Sequence, residues 1–262
     1  MWRYLRLYAY FVRFAFSRAM EFRADFFFRI VMDTVFYAVH IGFFKLIFLH
    51  TPSLAGWKEA EVIVFVSGFF VVDALIMTLF SNNLWWLPQL INRGDLDYYL
   101  VRPVSSLFFV SFRDFAANSF MNLLIACGIL GWAIWNYAAP LSTASVALYL
   151  VMLLVGAMLY FSIQMLLLLP VFWTHSGEGF RAIGWQLGNF MGQPDRIFTG
   201  WTRRVLVTVV PAAVVASFPA RLLLEGFQWS VLLHMLGVSL AFWILLIWLW
   251  NRALKNYSSA SS

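Results

Sequence analysis

Side chains that could do chemistry are scarce in this sequence, and several of them gather in one short segment. Residues 90–105 read LINRGDLDYYLVRPVS and place four charged side chains in an otherwise apolar chain. Two basic and two acidic residues this close together can balance one another locally, or they can present a polar surface to another protein. The polar and turn-forming residues of the segment are Arg93, Gly94, Asp95, Asp97, Arg102 and Pro103.

A second set of polar residues lies inside long apolar stretches. Asp73 is flanked by apolar residues on both sides, and ionisable residues in such surroundings are functional candidates. It can act as a gate or contact a cationic substrate, or it can be a packed carboxyl group inside a helix bundle. Arg29 and Asp33 can pair on one helix face or extend to the membrane surface. Gln164 can hydrogen-bond a neighbouring helix.

The sequence lacks the motifs of common catalytic and metal sites. It has no G-x-x-x-x-G-K-[ST] nucleotide-binding loop and no H-E-x-x-H pair. Its four histidines lie far apart, Cys127 is the single cysteine, and the 12 acidic residues are scattered. We therefore expect no catalytic residue, metal site or cofactor in this chain.

The composition decides which elements hold these residues. The chain has 262 residues, of which 63% are hydrophobic and 11% are charged, whereas a soluble domain is about half apolar and a quarter charged. So large an apolar excess requires lipid as the solvent. We predict an all-α integral membrane protein, because a helix of about 20 apolar residues crosses the hydrocarbon core with its backbone groups satisfied.

Six apolar segments are predicted to be transmembrane helices. The fifth is short and contains Pro211 and Pro219, so we expect a broken helix or one that turns back near the far surface. The predicted spans are 26–49, 60–80, 115–135, 145–170, 205–220 and 229–250.

An even number of spans places both termini on one side of the membrane. In this assignment 14 of the 18 Lys and Arg residues fall on that side, two fall on the other, and two lie inside the first span. Basic residues accumulate in cytoplasmic segments. The prediction therefore places both termini and residues 81–114 in the cytoplasm.

The first 25 residues form a different kind of helix. Polar side chains recur there every three or four residues, opposite Trp, Tyr, Phe and Leu side chains. A basic amphipathic helix of this kind lies in the membrane surface, as a topology anchor or with a mechanical role. We expect one membrane domain over residues 1–250, with the interfacial helix at 1–25, followed by a cytoplasmic tail at 251–262.

The charged segment itself is predicted to form two short helices that meet at a corner. Pro88 suits the first turn of a helix, and Gly94 suits its C-terminal end. Asp95 can then cap a second helix over 96–101, which must end before Pro103. On physical grounds alone, the segment is either a self-contained connection or a surface for a cytoplasmic partner.

The same segment resembles the signature of the ABC-2 family of transporter permeases, and within it a six-span bacterial subfamily that includes viologen and antibiotic exporters. That signature runs approximately I-x-x-G-x-L-D-x-x-L-x-R-P. Residues 193–224 resemble a second block of the family, although Gln193 replaces its usual aromatic residue. The resemblance extends over about residues 1–250. The matching residues are Ile91, Gly94, Leu96, Asp97, Leu100, Arg102 and Pro103 in the first block, and Pro194, Ile197, Phe198, Pro211, Phe218, Pro219 and Ala220 in the second.

This resemblance implies the permease subunit of an ATP-driven exporter in the bacterial plasma membrane, with multidrug efflux as one expectation. ATP would be bound by a separate cytoplasmic ATPase, and two permeases, identical or related, would enclose the path of a small molecule or lipid. The loop 81–114 would couple to the ATPase through the six polar and turn-forming residues named above. Nucleic acid is not expected as a partner.

Other interpretations of the sequence stay open. The chain can be a stand-alone secondary transporter, an integral-membrane enzyme subunit, or a non-transporting anchor of another complex. Paired broken helices in inverted repeats, which many secondary transporters contain, are not evident. A neighbouring gene for a Walker-type ATPase would favour the exporter.

Overall fold

The computed structural model describes residues 2–21 and 23–257, and within them the chain is helical with no β-strand. The prediction of an all-α membrane protein is confirmed. Two π-helical turns, Met77–Ser81 and Val205–Val209, and a 3₁₀ turn, Asp195–Ile197, interrupt the helices. The helices are α1 (Trp2–Glu21), α2 (Arg23–Phe48), α3 (Glu59–Ile76), α4 (Asn82–Arg93), α5 (Asp97–Leu100), α6 (Ser106–Phe112), α7 (Ala117–Trp135), α8 (Thr143–Leu168), α9 (Val171–Thr174), α10 (Glu178–Met191), α11 (Gly200–Arg204), α12 (Val214–Leu224) and α13 (Trp229–Asn256).

Five helical stretches of the described chain are long and apolar enough to cross a membrane, or six if one bent pair counts as a single span. The second stretch runs through α3, a π turn and α4 without a break, so it continues well past the predicted boundary at residue 80. Pro88 consequently lies inside α4 and not in a first turn, because the residues before it are already helical. The five stretches are Phe26–Phe48, Glu59–Arg93, Ala117–Trp135, Thr143–Thr174 and Trp229–Asn256.

The centre of the bundle is α3. In its stretch 72% of the most apolar window is buried, against 11% in α2 and 17% in α13. Tyr149 of α8 lies against Gly68, and its hydroxyl donates to the Val64 carbonyl at 3.3 Å. Gly156 of α8 faces the backbone carbonyl of Val215 in α12. These glycines let helix backbones approach closely, as small residues do in membrane bundles.

The bundle has two ends, which we call the near end (residues 93–105) and the far end (residues 49–58). At the near end, Trp250 of α13 donates to the Ser106 hydroxyl at 3.1 Å, and the Ser105 amide donates to the Tyr4 hydroxyl of α1 at 3.2 Å. The first and last helices of the described chain therefore meet at the near end.

α10 leads from the near end to the far end, although none of the predicted spans includes it. Before this helix, Gly177 lies against Pro88 at the near end. After it, Arg196 forms an ion pair with Glu225 at 2.7 Å, and Glu225 accepts a hydrogen bond from Trp57 at 3.0 Å. The predicted spans 145–170 and 205–220 make residues 171–204 a loop on the same side as the termini, and the structure shows that this part of the prediction is wrong. With 14 residues and several polar side chains, α10 carries too little apolar sequence to be recognised as a span.

The predicted fifth span is broken, as its prolines indicated. The arm Gly200–Val209 and the arm Val214–Leu224 meet at an angle of 97°. Arg203 of the first arm and Arg221 of the second both contact Asp195, at 2.7 and 3.5 Å. The two arms therefore form a hairpin that starts and finishes at the far end and turns inside the bundle.

α1 packs across α6 and the start of α7. The Tyr4 ring meets the Phe108 ring edge-on at 4.8 Å, and Arg18 forms an ion pair with Asp114 at 2.8 Å. The Tyr8 hydroxyl is buried in this contact, and burial raises the pKa of Tyr8 to about 12. α1 is thus docked on the bundle along one face. At the other terminus α13 extends to Asn256, beyond the predicted start of the tail, and residues 258–262 lie outside the described residues.

Candidate functional site

α2, α3 and α7 enclose a polar cleft with a volume of about 380 Å³. The lining residues come from the first half of α2, the second half of α3 and the start of α7, so the cleft lies in the half of the bundle toward the near end. Its polar lining includes Arg29, Asp33, Tyr37, Asp73, Asn118 and Asn122.

The cleft brings together three of the four intramembrane residues that the sequence singled out. Arg29 and Asp33 reach it from α2, and Asp73 reaches it from α3. The sequence had placed Arg29 and Asp33 on the first span and Asp73 on the second, without indicating that the three share a site. Two carboxylates and one guanidinium therefore line a single cavity of apolar walls, in which charges interact more strongly than in water.

Asp73 presents its carboxyl group to this cavity. The residue is partly exposed and lines the cleft, and its side chain makes no hydrogen bond or ion pair among the described residues. A carboxyl group so placed is available to a ligand in the cleft, in contrast to one that hydrogen-bonds inside a packed bundle.

Asn122 is a site residue that the sequence analysis missed. Its side-chain amide donates a hydrogen bond to the Asp33 carboxylate, which joins α7 to α2. The residue is only 2% exposed, and its Oδ1 accepts no hydrogen bond from the described residues. The available signal was an amide in an otherwise apolar helix, which is the same signal that identified Gln164.

Gln164 has a different role and lies outside the cleft. Its amide donates to the Tyr160 hydroxyl at 2.7 Å and to the Gly184 carbonyl at 3.2 Å. The second bond joins α8 to α10, which confirms the predicted hydrogen bond to a neighbouring helix. Gly184 makes room for this contact, since an added Cβ would overlap the Gln164 side chain.

The charged segment forms a corner at the near end. Gly94 has a φ of 78°, a left-handed conformation that favours glycine, and its amide donates to the Ile91 carbonyl at 3.3 Å. The second helix is α5, which is shorter than the predicted 96–101. Its N-cap is Leu96, with no side-chain cap, so the predicted capping by Asp95 is wrong. The buried Leu96 holds the corner against the bundle and takes the position expected of a capping residue.

Beyond the corner, the segment projects from the bundle. Leu96 is fully buried, whereas Tyr98 is 69% and Val101 is 79% exposed. In the part of the chain that the structure describes, none of the segment's four charged side chains forms an ion pair with another. Exposed apolar and charged side chains of the segment are therefore accessible to a partner protein. Ion pairs within the segment do not explain why its charged residues are present.

The base of this segment is held by neighbouring aromatic and charged groups. The Arg113 guanidinium lies 4.8 Å from the centre of the Tyr99 ring. Burial lowers the pKa of Arg113, against the opposing effect of the adjacent Asp114 carboxylate. At the end of α13, burial and the nearby Asp97 carboxylate raise the pKa of the Tyr257 hydroxyl. The segment is thus linked to both α6 and the C-terminal helix.

The far end contains a charged cluster that the sequence analysis did not foresee. Asp195 is fully buried, contacts Arg203 and Arg221, and its amide donates to the Ser217 hydroxyl at 3.0 Å. Arg221 also lies 3.5 Å from Glu225. The cluster fixes the hairpin to the connection that follows α10. Over residues 2–21 and 23–257, no group of three His, Cys, Asp or Glu side chains could hold a metal ion.

Comparison with known families agrees with the architecture and with the resemblance of the charged segment. A family model for ABC-2 family transporter proteins matches residues 34–261. The match includes Asp73, the charged segment and the broken hairpin, and it begins directly after Asp33. No curated protein and no solved structure matches the chain. The family is a membrane component of transporters and implies association with an ABC ATPase. This chain belongs to the ABC-2 family of transporter proteins.

Proposed function

We propose that this chain is the permease subunit of an ATP-driven exporter and that residues 93–103 contact a separate cytoplasmic ATPase. Membership of the ABC-2 family supports the ATPase partner. The observation that carries the proposal is the contrast within the near-end corner. Leu96 is fully buried while Tyr98 and Val101 are largely exposed, so the segment is anchored to the bundle and still offers a surface.

The connection between this corner and the cleft supports a coupling role. α4 leads directly from the corner into the π turn and α3, and the whole stretch Glu59–Arg93 is one continuous span. Asp73 lies on that stretch, 20 residues before Arg93. A displacement of the corner by a bound ATPase would therefore be transmitted along a helix to the cleft.

The distribution of basic residues favours a cytoplasmic near end. Eleven Lys and Arg residues lie toward the near end, namely four arginines of α1, Arg23 at the start of α2, Arg93, Arg102, Arg113, Arg181 in the first turn of α10, Arg252 and Lys255. Five lie at the far end, namely Lys58, Arg196, Arg203, Arg204 and Arg221. The bias is smaller than in the sequence prediction because α10 carries three arginines to the far end. It retains the direction expected for a plasma membrane protein with both termini in the cytoplasm.

The exporter would contain two permeases that enclose the substrate path, with a related second chain as the partner that the family resemblance favours. The cleft between α2, α3 and α7 lies beside α2, the least buried of the spanning helices. A second permease packed against this side would close the cleft laterally.

Co-purification from the native membrane tests the ATPase contact. We expect a Walker-motif ATPase to co-purify with the wild-type chain in mild detergent and to be lost, by about tenfold or more, with Asp97→Ala or Arg102→Ala. Such a loss corresponds to removal of one hydrogen bond between charged groups at the interface. Lys58→Ala is the matched control, because Lys58 is an exposed charge at the far end and should retain the ATPase.

The outcomes separate the permease from the other interpretations. ATPase recovery that is unchanged in both loop variants would remove the coupling role of residues 93–103. A chain that purifies alone and still transports in liposomes without ATP would be a secondary transporter. A second permease in the same sample would distinguish a pair of related chains from a pair of identical ones.

A further inference from the structure

The cleft between α2, α3 and α7 has the features of a binding site for an organic ammonium group. Asp33, Asp73 and Asn122, whose side chains all carry acceptor oxygens, line it from three different helices. With its ionisable groups charged, the cleft contains two carboxylates and the Arg29 guanidinium and thus has a net charge of minus one. One monovalent cation would bring that charge to zero.

Two polar groups of the cleft are able to bind a ligand. Asn122 is almost fully buried, yet its Oδ1 accepts no hydrogen bond from the described residues. The Asp73 side chain has no hydrogen-bond or ion-pair partner in the described chain, although an unpaired carboxylate inside a membrane is costly. Both groups line the same cleft. A donor between them would satisfy the amide oxygen and the carboxylate together.

The walls of the cleft favour an organic cation over a metal ion. Phe28, Phe36, Met32 and Met77 line it beside the polar residues, and aromatic rings attract ammonium groups. The described residues contain no cluster of three metal-binding side chains. A volume of about 380 Å³ lies within the range of small-molecule sites, so it accommodates an amine with an apolar body.

We propose that this cleft binds the protonated amino group of an amphiphilic primary or secondary amine. The N–H groups of such a cation donate to the Asp33 and Asp73 carboxylates and to Asn122 Oδ1, and its apolar body lies against the Phe and Met side chains. A quaternary ammonium has no N–H to donate and binds more weakly. The assignment of this substrate class rests on the proposed permease function.

Equilibrium binding to the full-length chain in lipid nanodiscs, without ATP or ATPase, tests the site. The probe is radiolabelled 2-phenylethylammonium, with its trimethylammonium analogue and 2-phenylethanol as matched ligands. We expect saturable binding of the primary ammonium. The other two ligands should bind at least about tenfold more weakly, as expected for loss of a charge-assisted hydrogen bond. Equal affinity for the trimethyl analogue would overturn the proposal.

Variants locate the binding within the molecule. Asp73→Asn keeps the shape of a residue that has no partner among the described residues, so it should fold, and we expect its affinity for the primary ammonium to fall about tenfold. Asp33→Asn should weaken binding in the same direction. Ser162→Ala is the control, because Ser162 is a buried polar residue of α8 that donates only to the Met158 carbonyl and does not line the cleft. Wild-type affinity in both aspartate variants, or an equal loss in Ser162→Ala, would overturn the assignment to this cleft.

The same measurements distinguish this inference from the proposed coupling. Saturable amine binding without an ATPase contact would support the amine site and contradict the proposed coupling to an ATPase. ATPase co-purification without amine binding would support the coupling and contradict this substrate class.

Discussion

At the scale of single residues, polar groups without partners line the candidate site, and polar groups with partners hold helices and loops together. Asp73 and Asn122 Oδ1 line a cleft without partners among the described residues. Asp195 is fully buried, and two arginines contact it. A carboxylate within the bundle therefore has one of two roles in this chain, and the partners within reach decide between them.

Replacement of Asp195 should weaken the fold. Asp195→Asn leaves Arg203 and Arg221 without their buried partner, and removal of one member of a buried pair costs several kcal/mol. Because Arg203 is 41% exposed, water offsets part of that loss, and we expect a cost of about 2 kcal/mol. Thermal unfolding in mild detergent, monitored by Trp fluorescence, should show this loss of stability as a lower midpoint temperature.

The matched control is Glu178→Gln. Glu178 also pairs with an arginine, Arg181, at 3.1 Å, but its side chain is 90% exposed. Exposed pairs contribute less than about 1 kcal/mol, so this midpoint should stay close to that of the wild type. Equal midpoints for both variants would contradict a stabilising role of the Asp195 cluster.

At the scale of elements, breaks in the helices shape the candidate sites as much as the helices do. The left-handed turn at Gly94 ends α4 and directs the exposed segment away from the bundle. The π turn Met77–Ser81 joins α4 to α3 without a change of span. The 97° bend between the two arms of the hairpin keeps both arms at the far end.

The Gly94 turn can be tested through its conformation. Gly94→Val forces a branched side chain into a left-handed backbone at a cost of about 1–2 kcal/mol, so we expect the corner to rearrange and ATP-dependent export to fall. Gly94→Asn is the control, because asparagine tolerates this conformation and should retain most of the activity. Export and membrane insertion would be measured together. Insertion of Gly94→Val at wild-type levels with unchanged export would show that the corner has no part in coupling.

At the scale of the whole molecule, the path of α10 decides which surfaces lie on which side. Because α10 leads from the near end to the far end, residues 195–204 lie beside Glu225 and residues 49–58. Arg196 and Arg203 thereby move away from the end that holds the termini. The predicted fifth crossing is replaced by a hairpin that returns to the far end.

Cysteine labelling tests this topology in intact cells. In a Cys127→Ser background, an impermeant maleimide should react with Thr199→Cys and Ser53→Cys, both at exposed far-end positions. Val101→Cys, at the near end, should react only after the membrane is permeabilised. Protection of Thr199→Cys in intact cells, with Ser53→Cys labelled, would restore the topology predicted from the sequence.

The sequence by itself determined the class of protein and the identity of most candidate residues. A chain with 63% hydrophobic and 11% charged residues requires lipid as its solvent, and its apolar segments of about 20 residues have the length of membrane-crossing helices. The left-handed corner at Gly94 and the break near Pro211 were also predictable, because glycine and proline restrict the backbone locally.

Only the tertiary structure decided how these residues meet. Asp33, Asp73 and Asn122 lie on three helices far apart in sequence, and their common cleft depends on how α2, α3 and α7 pack. The path of α10 could not be predicted from the sequence, because a short helix with polar side chains does not resemble a membrane span. Contacts within the bundle, such as the Gln164 hydrogen bond to the Gly184 carbonyl, hold this helix in place. Local sequence sets the length and polarity of each helix, but long-range packing chooses its neighbours, and here those neighbours form the site.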